Sequence, residues 1–130
     1  MTKLIILGHG GYGSGMRRNI EMLAGPQEDY YYIDFNEDED RPTLEAKVDA
    51  ALEEIGDNDV LFCCDLVGGT PFIVASERCV TKDNFCCVGG LNTMAYLSLQ
   101  YELEAGAFEV ADLAVNYAKE AVMRFPPAEE

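Results

Sequence analysis

The stretch LIILGHGGYGSGM, Leu4 to Met16, sets the architecture of this chain. Four apolar residues in unbroken succession suit a strand covered on both faces. The glycine-rich turn behind them and the polar-apolar run from Ser14 onward read as a strand, a tight rim turn and a helix. The turn holds the only histidine of the sequence, His9. Gly8, Gly10 and Gly13 also spell G-x-G-x-x-G, the pattern of a dinucleotide-binding loop, and Asp34 follows at the end of the next apolar run, where the fingerprint wants an acidic residue. One short segment therefore poses two readings: a cradle for a cofactor, or a loop that serves the histidine.

The rest of the chain repeats the same alternation. Tyr30–Phe35, Val60–Cys64 and Phe85–Val88 are apolar and rich in β-branched or aromatic residues, as expected of further buried strands. Between them lie helix-length segments. The first runs from Ser14 to Ala24 and stops at Gly25-Pro26; the second opens on Thr43 and stops at Gly56; the third starts at Pro71, whose missing N–H costs nothing in a first turn, and runs to about Val80. Leu91–Glu102 and Phe108 to about Met123 complete the helices. This order predicts one α/β domain over residues 1–130, a doubly wound open sheet, mainly parallel, with ligands at the carboxyl ends of the strands. With strand order 2-1-3-4, His9 and Asp65 share that rim.

Composition narrows the function. The 130 residues carry 24 Asp and Glu against 9 Lys and Arg, a net charge of −15, which argues against nucleic acid and anionic lipid and for a partner with a basic face. No apolar run approaches the roughly 20 residues that span a bilayer, and the start of the chain is too short for a signal-peptide core, so a cytoplasmic protein is expected. The five cysteines form no C-x-x-C pair and have no second histidine to complete a metal site; they read as free thiols, and neither a metal nor a cofactor is expected. The acidic run Asn36–Asp40 reads as a solvated loop that supplies no chemistry.

The rim carries the chemistry. A carboxylate beside an imidazole accepts the Nδ1 proton, fixes the tautomer and leaves Nε2 as a nucleophile. Behind Asp65 comes Leu66-Val67-Gly68-Gly69-Thr70-Pro71-Phe72, a glycine loop running into a helix, whose amides and Thr70 hydroxyl suit an anion lying over His9. Gly10, Gly68, Gly69 and Thr70 are the candidate phosphate-binding residues. Arg17 and Arg18 are candidates for a phosphate or partner contact. The histidine ring would crowd a pyrophosphate approaching Gly8-x-Gly10, which weighs against an NAD(P)-binding oxidoreductase. A local likeness to the small anaerobic-type tetrapyrrole metal chelatases stops at the missing second histidine.

With Gly8-His9-Gly10, Ile33-Asp34-Phe35 and above all Asp65-x-x-Gly68-Gly69-Thr70-Pro71-Phe72, the sequence resembles the IIA component of the mannose-type bacterial phosphotransferase system over nearly its whole length. The resemblance implies that His9 accepts a phosphoryl group from the histidine-containing carrier protein (HPr) and passes it to a IIB partner, which phosphorylates sugar during uptake through the membrane components IIC and IID. It also implies a homodimer in which a C-terminal antiparallel strand is exchanged. The matching segment is about Ala121–Phe125, which periodicity alone also allows to continue the last helix. Many family members have Thr or Ser where this chain has Gly8, and Gly11-Tyr12-Gly13 is unusually glycine-rich. A related subunit that feeds a dihydroxyacetone kinase uses the same domain and is the nearest alternative.

Overall fold

The fold is described from a computed structural model covering residues 1–129. The elements follow the order β1 (Thr2–His9), α1 (Tyr12–Ala24), β2 (Tyr30–Phe35), α2 (Arg41–Ile55), β3 (Asp59–Cys64), α3 (Thr70–Thr81), β4 (Phe85–Gly89), α4 (Thr93–Leu99) and α5 (Ala107–Ala121). The four strands form one parallel sheet in the order β2-β1-β3-β4. Alternation along β1 divides the core in two. Leu4 and Ile6 join α1, α4 and α5 on one face, while Ile5 and Leu7 join α2 and α3 on the other. Burial on both faces explains why the strands read as continuous apolar runs.

The close seating of α1 against β2 depends on Gly13. A Cβ there would lie 2.6 Å from the Ile33 carbonyl oxygen, a backbone atom that cannot swing away. One residue on, the Ser14 amide donates to Asp34 Oδ1 at 2.8 Å, giving a partner to one of the N–H groups left over in the first turn of α1. Gly13 and Asp34, two of the fingerprint positions, are thus explained by packing and capping.

Several element ends differ from expectation. Helix α1 begins at Tyr12 behind Gly11, so Ser14 does not cap it. Helix α2 begins two residues before Thr43: Asp40 is the N-cap, accepting from the Thr43 amide at 3.0 Å and its hydroxyl at 2.7 Å, and Pro42 sits in the first turn. Thr43 was the right kind of residue on the wrong side of that hydrogen bond. The expected helix from Leu91 to Glu102 contracts to Thr93–Leu99 because Asn92 caps it by accepting from the Ala95 amide. Helix α5 stops at Ala121, and residues 122–125 neither prolong it nor form a fifth strand. Among the described residues, no helix is long and apolar enough to cross a membrane.

Candidate functional site

The β1–β3 pairing fixes the site. Leu7 stands opposite Cys64, and the Asp65 amide donates to the Leu7 carbonyl, so Asp65 leaves β3 alongside Gly8 and His9. Its carboxylate is held on both oxygens. Oδ2 accepts the His9 backbone amide at 3.0 Å and meets His9 Nδ1 at 2.7 Å, while Oδ1 accepts the Leu66 amide at 3.0 Å. An ionised carboxylate only accepts, so the short contact places the proton on Nδ1 and leaves the lone pair on Nε2. The histidine side chain is 45% exposed and the aspartate 16%, so the nucleophilic edge faces solvent while its partner is sheltered.

The other wall of the ring is Gly69. A Cβ at this position would lie 2.7 Å from His9 Cε1 and 3.3 Å from Nε2. Gly69 is also the N-cap of α3, with no side-chain cap, and its carbonyl accepts the Ile73 amide. The amides of Gly69, Thr70 and Phe72 accordingly have no partner within the helix, and Pro71 has no N–H to contribute. These donors and the positive end of the α3 dipole begin next to Nε2. Alanine at Gly69 is compatible with its extended backbone, φ −80° and ψ 172°, yet must push the imidazole away from Asp65. Gly69→Ala is therefore expected to leave the melting temperature nearly unchanged while slowing any reaction at Nε2 by about tenfold or more, the penalty for misplacing a reacting group. Stopped-flow or quench-flow kinetics beside a thermal melt checks both halves.

The remaining sequence candidates separate in space. Gly10 has φ +58°, in the left-handed region that favours glycine, and its amide donates to the Phe35 carbonyl at 2.7 Å. That bond draws the loop after β2 toward the histidine. Gly68 also has positive φ and lies in the turn that leads to Gly69. Arg17 pairs with Glu21 at 3.0 Å and its guanidinium stands 5.7 Å above the Tyr32 ring, so it is engaged along α1 and β2. Arg18 is exposed and makes no ion pair among the described residues; its guanidinium reaches back toward Gly15, one turn nearer the rim.

Two further neighbours of the site were not expected beside the histidine from the sequence. Tyr12 packs into the site from behind: a Cβ at Gly8 would lie 2.8 Å from both the Tyr12 ring and the Asp65 side chain. The Tyr12 hydroxyl meets that of the fully buried Tyr96 at 2.5 Å. Burial pushes the Tyr12 phenol up to about 12. The second neighbour is the acidic loop. His9, Gly10, Phe35, Asn36, Glu37 and Glu39 line an open hollow of about 360 Å³, so this loop belongs to the surroundings of the histidine. Lys47 anchors it through Glu39 at 2.8 Å and the Asp34 carbonyl at 2.9 Å, and that contact holds the Glu39 carboxyl below its ordinary value. The run expected to be a solvated loop without chemistry thus borders the nucleophile, a place that makes it a candidate for partner recognition.

A strand-end histidine is thus fixed by a strand-end aspartate beside an open helix N-terminus. Residues 3–94 match the EIIA-man family, described as "PTS system fructose IIA component". The chain belongs to this mannose-type IIA family. The PTS system mannose-specific EIIAB component of Escherichia coli K12 is 35% identical over 126 residues, covering 94% of this chain and 39% of that longer protein. The mannose/sorbose-specific IIA subunit of the phosphotransferase system from Enterococcus faecalis superposes with a TM-score of 0.89 at 26% identity, over 99% of this chain and 98% of its own. Phosphotransferase system component EIIA from Streptococcus agalactiae gives a TM-score of 0.86 at 25% identity, over 96% and 98%. The dinucleotide reading falls with the same observations. Asp34 is committed to the Ser14 amide, and the histidine ring lies where the glycine loop approaches α3.

Proposed function

We propose that this IIA-type chain is a phosphohistidine relay, taking a phosphoryl group from HPr onto His9 Nε2 and passing it to a IIB component for sugar phosphorylation during uptake through IIC and IID. The observation that carries the proposal is the 2.7 Å contact between His9 Nδ1 and Asp65 Oδ2, which ties one ring nitrogen and frees the other. In the transfer, the Nε2 lone pair attacks the donor phosphorus as the donor's P–N bond breaks. The imidazole gains positive charge while Nδ1–H stays hydrogen-bonded to the Asp65 carboxylate, which stabilises that charge. The phosphoryl oxygens are met by amides at the start of α3 and by the Thr70 hydroxyl, with Gly10 and Gly68 giving the backbone room to approach. Dipoles without a fixed cation suit a relay, since a tight ionic clamp would stabilise the phosphorylated state and slow departure.

The experiment is to incubate the chain with phosphoenolpyruvate, enzyme I and HPr and weigh it intact. The proposal expects one phosphate, lost in acid; acid-stable phosphate, or none, contradicts it. Offering a IIB domain or a dihydroxyacetone kinase as the next acceptor separates the transport role from its alternative.

The acidic loop gives the relay a reason for its charge. Glu37 and Asp38 make no ion pair among the described residues, so their field reaches a basic carrier face undiminished by a local partner. The double variant Glu37→Gln, Asp38→Asn is expected to lower the second-order rate of transfer from HPr about threefold at low ionic strength. The difference should vanish near 1 M salt, where the screening length falls to about 3 Å. A rate insensitive to both changes removes the loop from recognition.

A homodimer belongs to the same proposal. Val122, Met123 and Phe125 are 76%, 85% and 92% exposed, apolar surface at the end of the chain that a second copy would cover. Sedimentation at micromolar concentration should give twice the chain mass, and truncation after Ala121, which removes residues 122–130, should give the monomer. A monomer at both lengths contradicts the assignment.

A further inference from the structure

Gly8, the residue before the nucleophile, has two side chains crowded over it. A Cβ there would lie 2.8 Å from both Cβ and Cγ of Asp65 and 2.8 Å from Cδ2 of Tyr12. The glycine stands opposite Asp34 in the β1–β2 ladder, so its backbone is not free to yield. The Tyr12 ring and the Asp65 side chain therefore share the room that a side chain at residue 8 would take.

Tyr12 is held from its far end. Its hydroxyl meets that of Tyr96 on α4, and Tyr96, fully buried, accepts on its carbonyl the hydroxyl of the buried Tyr30 on β2. Three tyrosines thus run from β2 through α4 to the first residue of α1 and end beside the aspartate that holds His9. Burial pushes both phenols of the Tyr12–Tyr96 pair up, that of Tyr12 to about 12, so the pair stays protonated and works as a fastener, not as an acid.

We propose that Tyr12 is a positioning residue of the relay: its ring, fastened by Tyr96, closes the space over Gly8 and keeps the Asp65 carboxylate in the rotation that reaches His9 Nδ1. This role rests on the relay reading of His9. Asp65 must serve three donors at once, the His9 amide and Nδ1 on Oδ2 and the Leu66 amide on Oδ1, which fixes the plane of the carboxylate. With glycine at residue 8, β1 offers no side chain to limit its rotation on that side, and the ring supplies the limit. The ring also keeps water from that side of a carboxylate only 16% exposed, so the charge acts on the imidazole with less screening.

The test compares the full chain with its Tyr12→Ala variant by two readouts. In the unphosphorylated protein, ¹⁵N spectra of the His9 ring should change from the Nδ1-protonated tautomer alone to a mixture of both, with the Nδ1 proton exchanging faster with water. In single-turnover transfer from phosphorylated HPr, the maximal rate should fall about tenfold, the effect of a misplaced reacting group, while half-saturation by HPr stays within about twofold. Tyr12→Phe keeps the ring and should restore the tautomer and most of the rate. It leaves the Tyr96 hydroxyl buried without a partner, so its melting temperature should fall, and adding Tyr96→Phe should bring that back. In Asp65→Asn, adding Tyr12→Ala should change the rate by less than about twofold, because the group through which Tyr12 acts is already gone. Tyr12→Leu, which keeps apolar bulk, should shift both readouts in the same direction and serves where the alanine variant does not fold. A parent-like tautomer with a parent-like rate, a loss confined to half-saturation by HPr, or the full tenfold loss on top of Asp65→Asn overturns the proposal. A parent chain that accepts no phosphate overturns the relay instead, and the tautomer of the unphosphorylated ring still decides whether Tyr12 positions Asp65.

Discussion

The His9→Ala variant is expected to fold normally and to accept no phosphate. Only the imidazole is lost. The backbone amide of residue 9 still donates to Asp65 Oδ2, the Asp65 amide still donates to the Leu7 carbonyl, and a side chain 45% exposed leaves no cavity behind. Stability should change by no more than about 0.5 kcal/mol, as for other surface substitutions. The rate of phosphorylation by HPr should fall by about 10⁴-fold or more, the scale on which removing a nucleophile acts when no other group replaces it. Since His9 is the only histidine, residual acid-labile phosphate on the variant would place the chemistry on some other residue.

Asp65→Asn is the subtler and more informative substitution. An asparagine matches the shape of the aspartate but has one acceptor oxygen in place of two. With that oxygen toward His9, its NH₂ group faces the Leu66 amide, donor against donor; with the oxygen toward Leu66, the NH₂ faces the His9 amide and Nδ1. The second arrangement also favours the tautomer with the proton on Nε2, which removes the nucleophile. In either arrangement the carboxylate charge that stabilises the ring during transfer is gone. Phosphoryl acceptance should drop by about 10² to 10⁴-fold, the range seen when the aspartate behind a catalytic imidazole is neutralised. A transfer rate within twofold of the parent would remove Asp65 from the mechanism and reduce it to a link between β1 and β3.

The chain's own residues reveal much of this arrangement and conceal the rest for identifiable reasons. That His9 and Asp65 share a rim follows from apolar runs and connection rules, because parallel strands end on one side of the sheet, whereas the order 2-1-3-4 that makes them neighbours rests on the family resemblance. Gly69 was legible as part of a glycine loop, but its reason, an imidazole packed where a Cβ would be, is a contact across 60 residues that no local pattern carries. Asp34 was misleading: its spacing from the glycines satisfies a cofactor fingerprint because capping α1 from the end of β2 requires the same geometry. The acidic loop was legible as charge and not as place. It reaches the histidine because the β1–β2 register sets Phe35 beside His9 and the Gly10 amide, at a positive φ, extends that pairing to the Phe35 carbonyl. Helix starts at Tyr12 and Arg41 were displaced for a shared cause, that the group satisfying the first turn came from Asp34 in one case and Asp40 in the other.

The central claim is that Asp65 occupies Nδ1 and so directs the phosphoryl group to Nε2. Long-range ¹H–¹⁵N correlation of the His9 ring, recorded before and after phosphorylation by phosphoenolpyruvate, enzyme I and HPr, reads this atom by atom. The expected spectrum shows the free ring protonated at Nδ1 and the phosphorylated ring with phosphorus coupling at Nε2 and the Nδ1 proton retained. Phosphorus coupling at Nδ1, or a free ring whose proton resides on Nε2, would contradict it.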